Sequence, residues 1–386
     1  MWKALASNAI TLFIVVLIPF GGMVGWGQSQ FDAAGPLAEP FCLRVAPGTR
    51  MDGLSNDLAE RGALQRPWIM RVGARYSGKS SEIRFGSFLV PAGASMREIV
   101  EIVTRGGRST CGVEIVHRIG VSRIETRVRE IDPLTGRYVR LAEFVPEAES
   151  GEPPDAYLEA RSRKDTRIRI VLAEGVTSWQ VVEGLNALDI LTGGVSSVPD
   201  EGWLAPDSYE VSVGDDRGEL LASMEARQRG RLERAWANRD RELPIDSPEE
   251  ALILASIVEK ETGVPDERGL VAGVFINRLR EGMPLQTDPS VIYGITNGRG
   301  GLDRGLRRSE LDAESPYNTY LIGGLPPTPI ANPGQASIQA ALNPDQTDFL
   351  FFVADGTGGH AFAVTLSEHN ANVAKWREIE ARRNSQ

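Results

Sequence analysis

Between Lys3 and Asp32 the chain carries no charged residue, and AITLFIVVLIPFGGMVGW within it is apolar throughout. A bilayer needs about 20 such residues at roughly 1.5 Å rise each. The pattern predicts a transmembrane anchor over 1–27, bracketed by the interfacial aromatics Trp2 and Trp26. Lys3 and the α-amino group place the N-terminus in the cytoplasm and the remaining chain outside. The alternative is a cleaved signal peptide, whose apolar core is usually shorter and followed by a small-x-small site. Residues 28–41, rich in Gly, Ser, Gln, Ala and Pro, read as a linker.

A second pattern then recurs three times: RVAPGTRMDGLSNDLAERGAL from Arg44, FLVPAGASMREIVEIVTRG from Phe88 and RIVLAEGVTSWQVVEGLNAL from Arg169. Each predicts a short strand, a glycine-containing turn, a Ser/Thr cap and an amphipathic helix. Such β-α units suit either a polysaccharide-binding module of the LysM type or a structural spacer. Between the second and third copies, residues 110–166 alternate apolar and polar, then turn polar in PEAESGEPPDAYLEARSRKD. They read as hairpin strands and an exposed loop inserted in the first domain, with His117 structural on its strand.

From about residue 196 the texture changes. EGWLAPDSY reads as a rigid loop, and a helix is expected from about 218 to 239. In SPEEALILASIVEKETG, Ser247 is a good N-cap, Pro248 suits the first helical position, Glu250 closes a capping box and Gly263 is a natural stop. The predicted helix spans 248–262. With Leu254 as reference and about 100° per residue, Ile257 falls near −60°, Val258 near +40° and Glu261 near −20°. Glu261 thus continues the apolar stripe, while Glu259 points away, toward solvent or to orient a neighbour. A carboxyl facing a core is neutral or paired. Glu261 is therefore a candidate general acid, or else the partner of an arginine such as Arg278.

An amphipathic helix and a polar, aromatic loop follow. The loop brings Gln286, Thr287, Asp288 and Tyr293 together, and SPYNTYLIGGLPPTPIANPG adds Tyr317, Asn318, Tyr320 and a proline-rich turn ending in Asn332, Pro333 and Gly334. Amides, hydroxyls and aromatic faces without clustered cations suit a cleft for neutral sugars. A strand, glycine turn and strand then contain His360, placed either against substrate or in the frame.

Composition narrows these readings. At 386 residues and 41% apolar the chain is long enough for two or three cores, and a net charge of −10 without a basic run disfavours nucleic acid. Outside the cytoplasm, Cys42 and Cys111 are either a disulfide or two small buried thiols. No metal-ligand spacing, no GK[ST] phosphate loop and no cofactor motif occurs.

At EGWLAPDSY, LASIVEKETG, VFINRLREGMPLQTDPSVIYG, SPYNTYLIGGLPPTPIANPG and FFVADGTGGHAF the chain resembles the endolytic murein transglycosylases, the YceG-like membrane-anchored enzymes that cut peptidoglycan glycan strands. The resemblance covers nearly the whole extracytoplasmic part. It implies an α+β architecture with a LysM-like domain over 42–195, carrying the 110–166 insertion, and a catalytic domain over 196–386. It implies that the glutamate of EKET, Glu261, is the acid and base, with Glu259 supporting. The implied reaction cleaves between N-acetylmuramic acid and N-acetylglucosamine and leaves 1,6-anhydromuramic acid ends. Gln286, Thr287, Asp288, Tyr293, Tyr317, Asn318 and Tyr320 are the expected substrate-binding residues. The implied partners are peptidoglycan, the inner membrane and the cell-wall synthesis machinery, including penicillin-binding proteins. The alternatives are a lysozyme-like muramidase with Asp288 as second carboxylate, and a non-catalytic peptidoglycan-binding scaffold.

Overall fold

In the computed structural model, residues 2–105, 110–146, 151–302 and 304–384 are described, with side chains except those of 2–12, 14, 16 and 384. The elements run α1 Trp2–Asp32, β1 Phe41–Val45, α2 Met51–Glu60, α3 Pro67–Tyr76, β2 Gly86–Val90, α4 Met96–Thr104, β3 Val113–Ile119, β4 Ile124–Ile131, β5 Tyr138–Phe144, α5 Asp155–Ser162 and β6 Arg167–Leu172. They continue as α6 Ser178–Asn186, β7 Ser208–Val211, α7 Arg217–Ala237, α8 Pro248–Glu261, α9 Arg268–Arg280, α10 Asp288–Thr296, α11 Arg308–Leu311, α12 Gln335–Leu342, β8 Phe351–Ala354, β9 His360–Ala363 and α13 Leu366–Asn384. The fold is mixed α and β.

The chain forms two compact units. One holds residues 1–115, 127–143 and 152–168; the other holds 116–126, 144–151 and 169–386. This division departs from the expected boundary at 195/196. The third β-α copy, β6 and α6, falls largely in the second unit.

In the first unit, the first two β-α copies pair β1 with β2 antiparallel, Phe41 opposite Val90 and Val45 opposite Gly86. Leu43, Leu54, Leu58, Met70, Val90 and Ile99 form its core. Helix α4 starts in a full capping box, Ser95 accepting from the Glu98 N–H while Glu98 accepts from the Ser95 N–H. Helix α3 was not predicted. Its sequence PWIMRVGARY is short and opens with Pro67 at the first turn, yet Ile69, Met70 and Ala74 pack inward.

The linker expected over 28–41 begins later than predicted. α1 continues to Asp32 because Phe31 inserts into the core against Gly73 of α3, where a Cβ would lie 2.5 Å from the Phe31 ring. Asp32 pairs with Arg97, and backbone bonds from Gly35 and to Leu37 hold the following segment against Gly93. Among the described residues no helix is long and apolar enough to cross a membrane. Much of the run read as an anchor, the side chains of 1–12, 14 and 16, lies outside those residues.

Residues 110–166 do not behave as an appendage. β3, β4 and β5 join β6 and β7 in one five-stranded sheet of order β5-β4-β3-β6-β7. Its partners lie far apart in sequence, which alternation along one strand cannot reveal. The segment expected as an exposed loop folds in part as α5 and buries Tyr157; its residues 147–150 lie outside those described. His117 is buried with Nδ1 2.8 Å from Thr126 Oγ1, and burial lowers its pKa to about 4.

Cys42 and Cys111 are joined as a disulfide with Cα atoms 5.7 Å apart, closing a sequence separation of 69. Loop-closure entropy for such a span corresponds to roughly 4 kcal/mol at most. Replacing both cysteines with serine should destabilise the first unit by about 2–4 kcal/mol. Denaturant unfolding read from the fluorescence of the first unit's tryptophans Trp2, Trp26 and Trp68, with those of the second unit replaced by phenylalanine, checks this; an unchanged midpoint would show that the bond adds nothing.

Candidate active site

The site is built on α8. Ser247 accepts from the Glu250 N–H, the Asp246 N–H donates to Glu250 Oε2, and Pro248 fills the first turn. Every position from 251 to 258 is buried, so α8 has no polar face along this stretch. The single stripe inferred from the periodicity is therefore too narrow a description. Leu252, Leu254 and Ile257 pack with Phe275 of α9 and Ile338 and Leu342 of α12 in one core. Each such side chain contributes about 1.5–3 kcal/mol by burial. Ser256 is tolerated inside because its Oγ donates to Ile253 O and accepts from the Ile330 N–H.

Glu261 is the last residue of this helix, and Thr262 turns the chain to extended geometry. Burial, then the neighbouring Asp288, pushes its carboxyl up to about 7, against a hydrogen bond with Thr287 and the more distant charge of Arg278. The helix dipole acts in the same upward direction, since a C-terminus disfavours an anion. Arg278 does not pair with Glu261. Its guanidinium donates to the carbonyls of Leu350, Pro284 and Leu285 and to Gln286 Oε1.

Two loops are clamped beside this carboxyl. The Gln286 N–H donates to Thr319 O, the Thr287 N–H to Thr319 Oγ1, and Thr319 Oγ1 back to Thr287 O. Gln286 is thereby held at φ 54°, a left-handed geometry that costs a non-glycine residue about 1–2 kcal/mol. Its side chain and that of Asp288 are exposed, and Tyr320 Oη donates to Asp288 Oδ1 at 2.7 Å. Asp288 and Tyr320 are both close enough to Glu261 for their charges to act on one another.

The other expected binding residues divide differently. Thr287 is buried, capping α10 through the Ser290 N–H. Asn318 is fully buried; its amide donates to Leu311 O and Ala313 O and accepts from the Tyr320 N–H. It holds the loop and has no group free for a ligand. Tyr293 and Tyr317 lie with ring centroids 5.1 Å apart, and their hydroxyls bond to Glu201 Oε2 and Thr328 Oγ1.

Sequence reasoning missed Glu201. Its Oε1 accepts from the Ser178 N–H at 2.8 Å and from Asn332 Nδ2 at 3.3 Å, its Oε2 from Tyr293 Oη. Burial pushes this carboxyl up to about 7 as well. Asn332 is a buried cross-link as much as a turn residue: Oδ1 accepts from the Leu204 N–H and Nδ2 donates to Val176 O. The signal available was EG in EGWLAPDSY, for Gly202 has φ 88° and a Cβ there would lie 2.6 Å from Pro329.

Glu259 is half-buried. Its Oε2 accepts from the Gly334 N–H and Ser337 Oγ at the start of α12, an anion at a helix N-terminus. His360 pairs with Glu267 at 2.7 Å, and its backbone N–H donates to the same carboxylate. Lys260 lies on the wall of a cavity of about 600 Å³ that Glu261 itself does not line; Tyr293 and Ile292 of α10 form another wall. Among the described residues no cluster of His, Cys, Asp and Glu suits a metal ion.

Residues 43–375 match the YceG-like family. The chain is 38% identical over 178 residues to an endolytic murein transglycosylase of Bacillus subtilis, a match covering 46% of this chain and 48% of that protein. It is 25% identical over 373 residues to an endolytic murein transglycosylase of Streptococcus pneumoniae, covering 94% of this chain and 64% of that protein. The chain thus spans about half to two thirds of the curated relatives it matches. A solved YceG-like protein from Listeria monocytogenes aligns with a TM-score of 0.45 and 22% identity, over 86% of this chain and 99% of that one.

Two outcomes follow from the geometry. Gln286→Gly should raise the unfolding free energy by about 0.5–1 kcal/mol by relieving the left-handed residue, whereas Gln286→Ala should not; paired denaturation curves decide. Glu201 and Glu261 hold protons to about pH 7 when folded and to about 4.3 when unfolded. The folded state therefore binds more protons in that window, and their contribution, full below about 4.3, is lost as pH rises through about 7. Unfolding free energy measured from pH 4.5 to 7.5 should fall less steeply in Glu201→Gln than in wild type.

Proposed function

Because the chain belongs to the YceG-like family, we propose that it is a membrane-anchored lytic transglycosylase cutting peptidoglycan between N-acetylmuramic acid and N-acetylglucosamine, with Glu261 as acid and base. The observation that carries the reading is the environment of Glu261: a carboxyl pushed to about 7, at the end of a buried helix, beside exposed polar groups. Glu201 has a similarly raised pKa but both oxygens are already engaged. Glu261 is the carboxyl with capacity left.

The protonated Glu261 donates to the glycosidic oxygen as the bond to muramic C1 breaks. The carboxylate so formed takes the proton of the muramic C6 hydroxyl as that oxygen closes on C1, restoring the acid. No water enters, so one carboxyl suffices. Gln286, Asp288 and Tyr320 orient the sugar, while Thr287 and Asn318 fix the loops that carry them. Proton transfer supplies a factor of about 10² to 10⁴, and sugar distortion and positioned polar groups supply the rest.

The anchor rests on α1, whose described side chains Phe13, Val15, Ile18, Phe20 and Met23 are exposed and apolar. With that anchor the chain would sit in the inner membrane with its catalytic unit in the periplasm, next to the synthesis machinery and its penicillin-binding proteins. The order β1-α2-α3-β2, with antiparallel strands, supports a glycan-binding module of the LysM type. A second reading, a muramidase, is favoured by Asp288, whose charge raises Glu261 and which would serve as the second carboxylate.

Purified peptidoglycan incubated with the full chain in detergent tests both. The transglycosylase releases fragments with anhydro ends; the muramidase releases fragments heavier by one water. Glu261→Gln should lower turnover by about 10² to 10⁴, and wild-type turnover should fall as pH rises through about 7. Unchanged turnover in Glu261→Gln would remove Glu261 from the chemistry.

A further inference from the structure

The cavity beside α8 has walls from the β3–β4 loop, the first turn of α6, α10 and the strip 298–302. We propose that it is a subsite for the anionic peptide stem carried by muramic acid, an inference that rests on the activity proposed above and names a further part of its substrate.

Three cations line the cavity, Arg123, Lys260 and Arg299, against one carboxylate, Glu183. The chain as a whole has a net charge of −10, so this excess is not its background. Arg299 is exposed, and its guanidinium makes no hydrogen bond or ion pair among the described residues. Arg123 touches Glu125 only at 3.5 Å and keeps 63% of its side chain exposed. The Lys260 ammonium is 3.4 Å from Gly175 O, with two further donors remaining. Glu201 lies behind Tyr293, both its oxygens engaged. Trp179, Pro289 and Ile292 add apolar surface for the methyl and methylene groups of a short peptide. A volume of about 600 Å³ suits a ligand of that size.

Connectivity places the cavity correctly. Lys260 precedes Glu261, with Cα atoms about 3.8 Å apart. In the substrate, the scissile bond leaves C1 of muramic acid and the stem leaves through the lactyl ether on C3 of the same ring. A sugar presented to Glu261 therefore starts its stem within one ring's width of the acid. Two neighbouring positions on α8, turned about 100° apart, serve the two arms of one residue of substrate.

Two measurements on the full chain test this. In calorimetric titration, N-acetylmuramyl tripeptide with free carboxylates should bind about tenfold more tightly than its amidated counterpart, and Arg299→Gln should erase most of that difference. In turnover, wild type should cut stem-bearing strands faster than strands stripped by an amidase, and the ratio should drop toward one in Arg299→Gln and Arg123→Gln. Equal binding of the two peptides, or discrimination unaffected by both variants, overturns the subsite. Retained peptide discrimination with neither strand cleaved supports the subsite and removes the transglycosylase activity instead.

Discussion

A buried carboxyl at the carbonyl end of a helix has few ways to be an anion. Desolvation, the helix dipole and Asp288 all raise the pKa of Glu261. The cation best placed to oppose them, Arg278, is bound to backbone carbonyls. This arrangement needs α8 to be enclosed over residues 251–258, where α9 and α12 pack against it. The buried hydroxyl of Ser256 then anchors Ile330, two residues before Asn332, so the packing around α8 also places the cross-link that ties the neighbouring loops together.

Glu201 and Glu261 show that burial raises a carboxyl whether or not its oxygens are already engaged. Burial has moved both to about 7. Glu201 joins α6, α10 and the 332 turn, and its hydrogen bonds are arguments for a strut. A strut of this kind stiffens one wall of the cavity through Tyr293. Gln286 is its counterpart near Glu261: a residue held in unfavourable backbone geometry by Thr319, with its side chain exposed. Strain of that kind persists only where surrounding contacts over-determine the backbone.

How much of this was legible in the sequence follows from which forces are local. Caps and proline placement fixed the start of α8 because they act within one turn. The helical wheel separated Glu261 from Glu259, although the premise of one apolar stripe was too narrow; what differs is the partner each direction meets. The three β-α copies were readable as local units. Their assembly was not, since the same pattern pairs β1 with β2 in two cases and sends β6 into the larger sheet in the third. Glu201 and Asn332 were invisible as a linked pair because their contacts span 131 positions. Linker residues 28–32 were misread because the fate of Phe31 depends on a glycine at position 73.

The end of α8 concentrates the functional geometry in three consecutive ionisable residues. Rotation of about 100° per residue sends them in three directions. Glu259 meets the N-terminus of α12, whose Gly334 N–H and Ser337 Oγ donate to it and offset part of the burial that raises its pKa. Lys260 faces the cavity and Gly175, and Glu261 faces Thr287 and the polar mouth. A one-residue insertion in this segment would rotate each group into its neighbour's surroundings, leaving the ammonium where Glu261 now meets Thr287 and Asp288. The spacing of EKE is therefore constrained by the helix itself, and by three separate environments, each with its own partners.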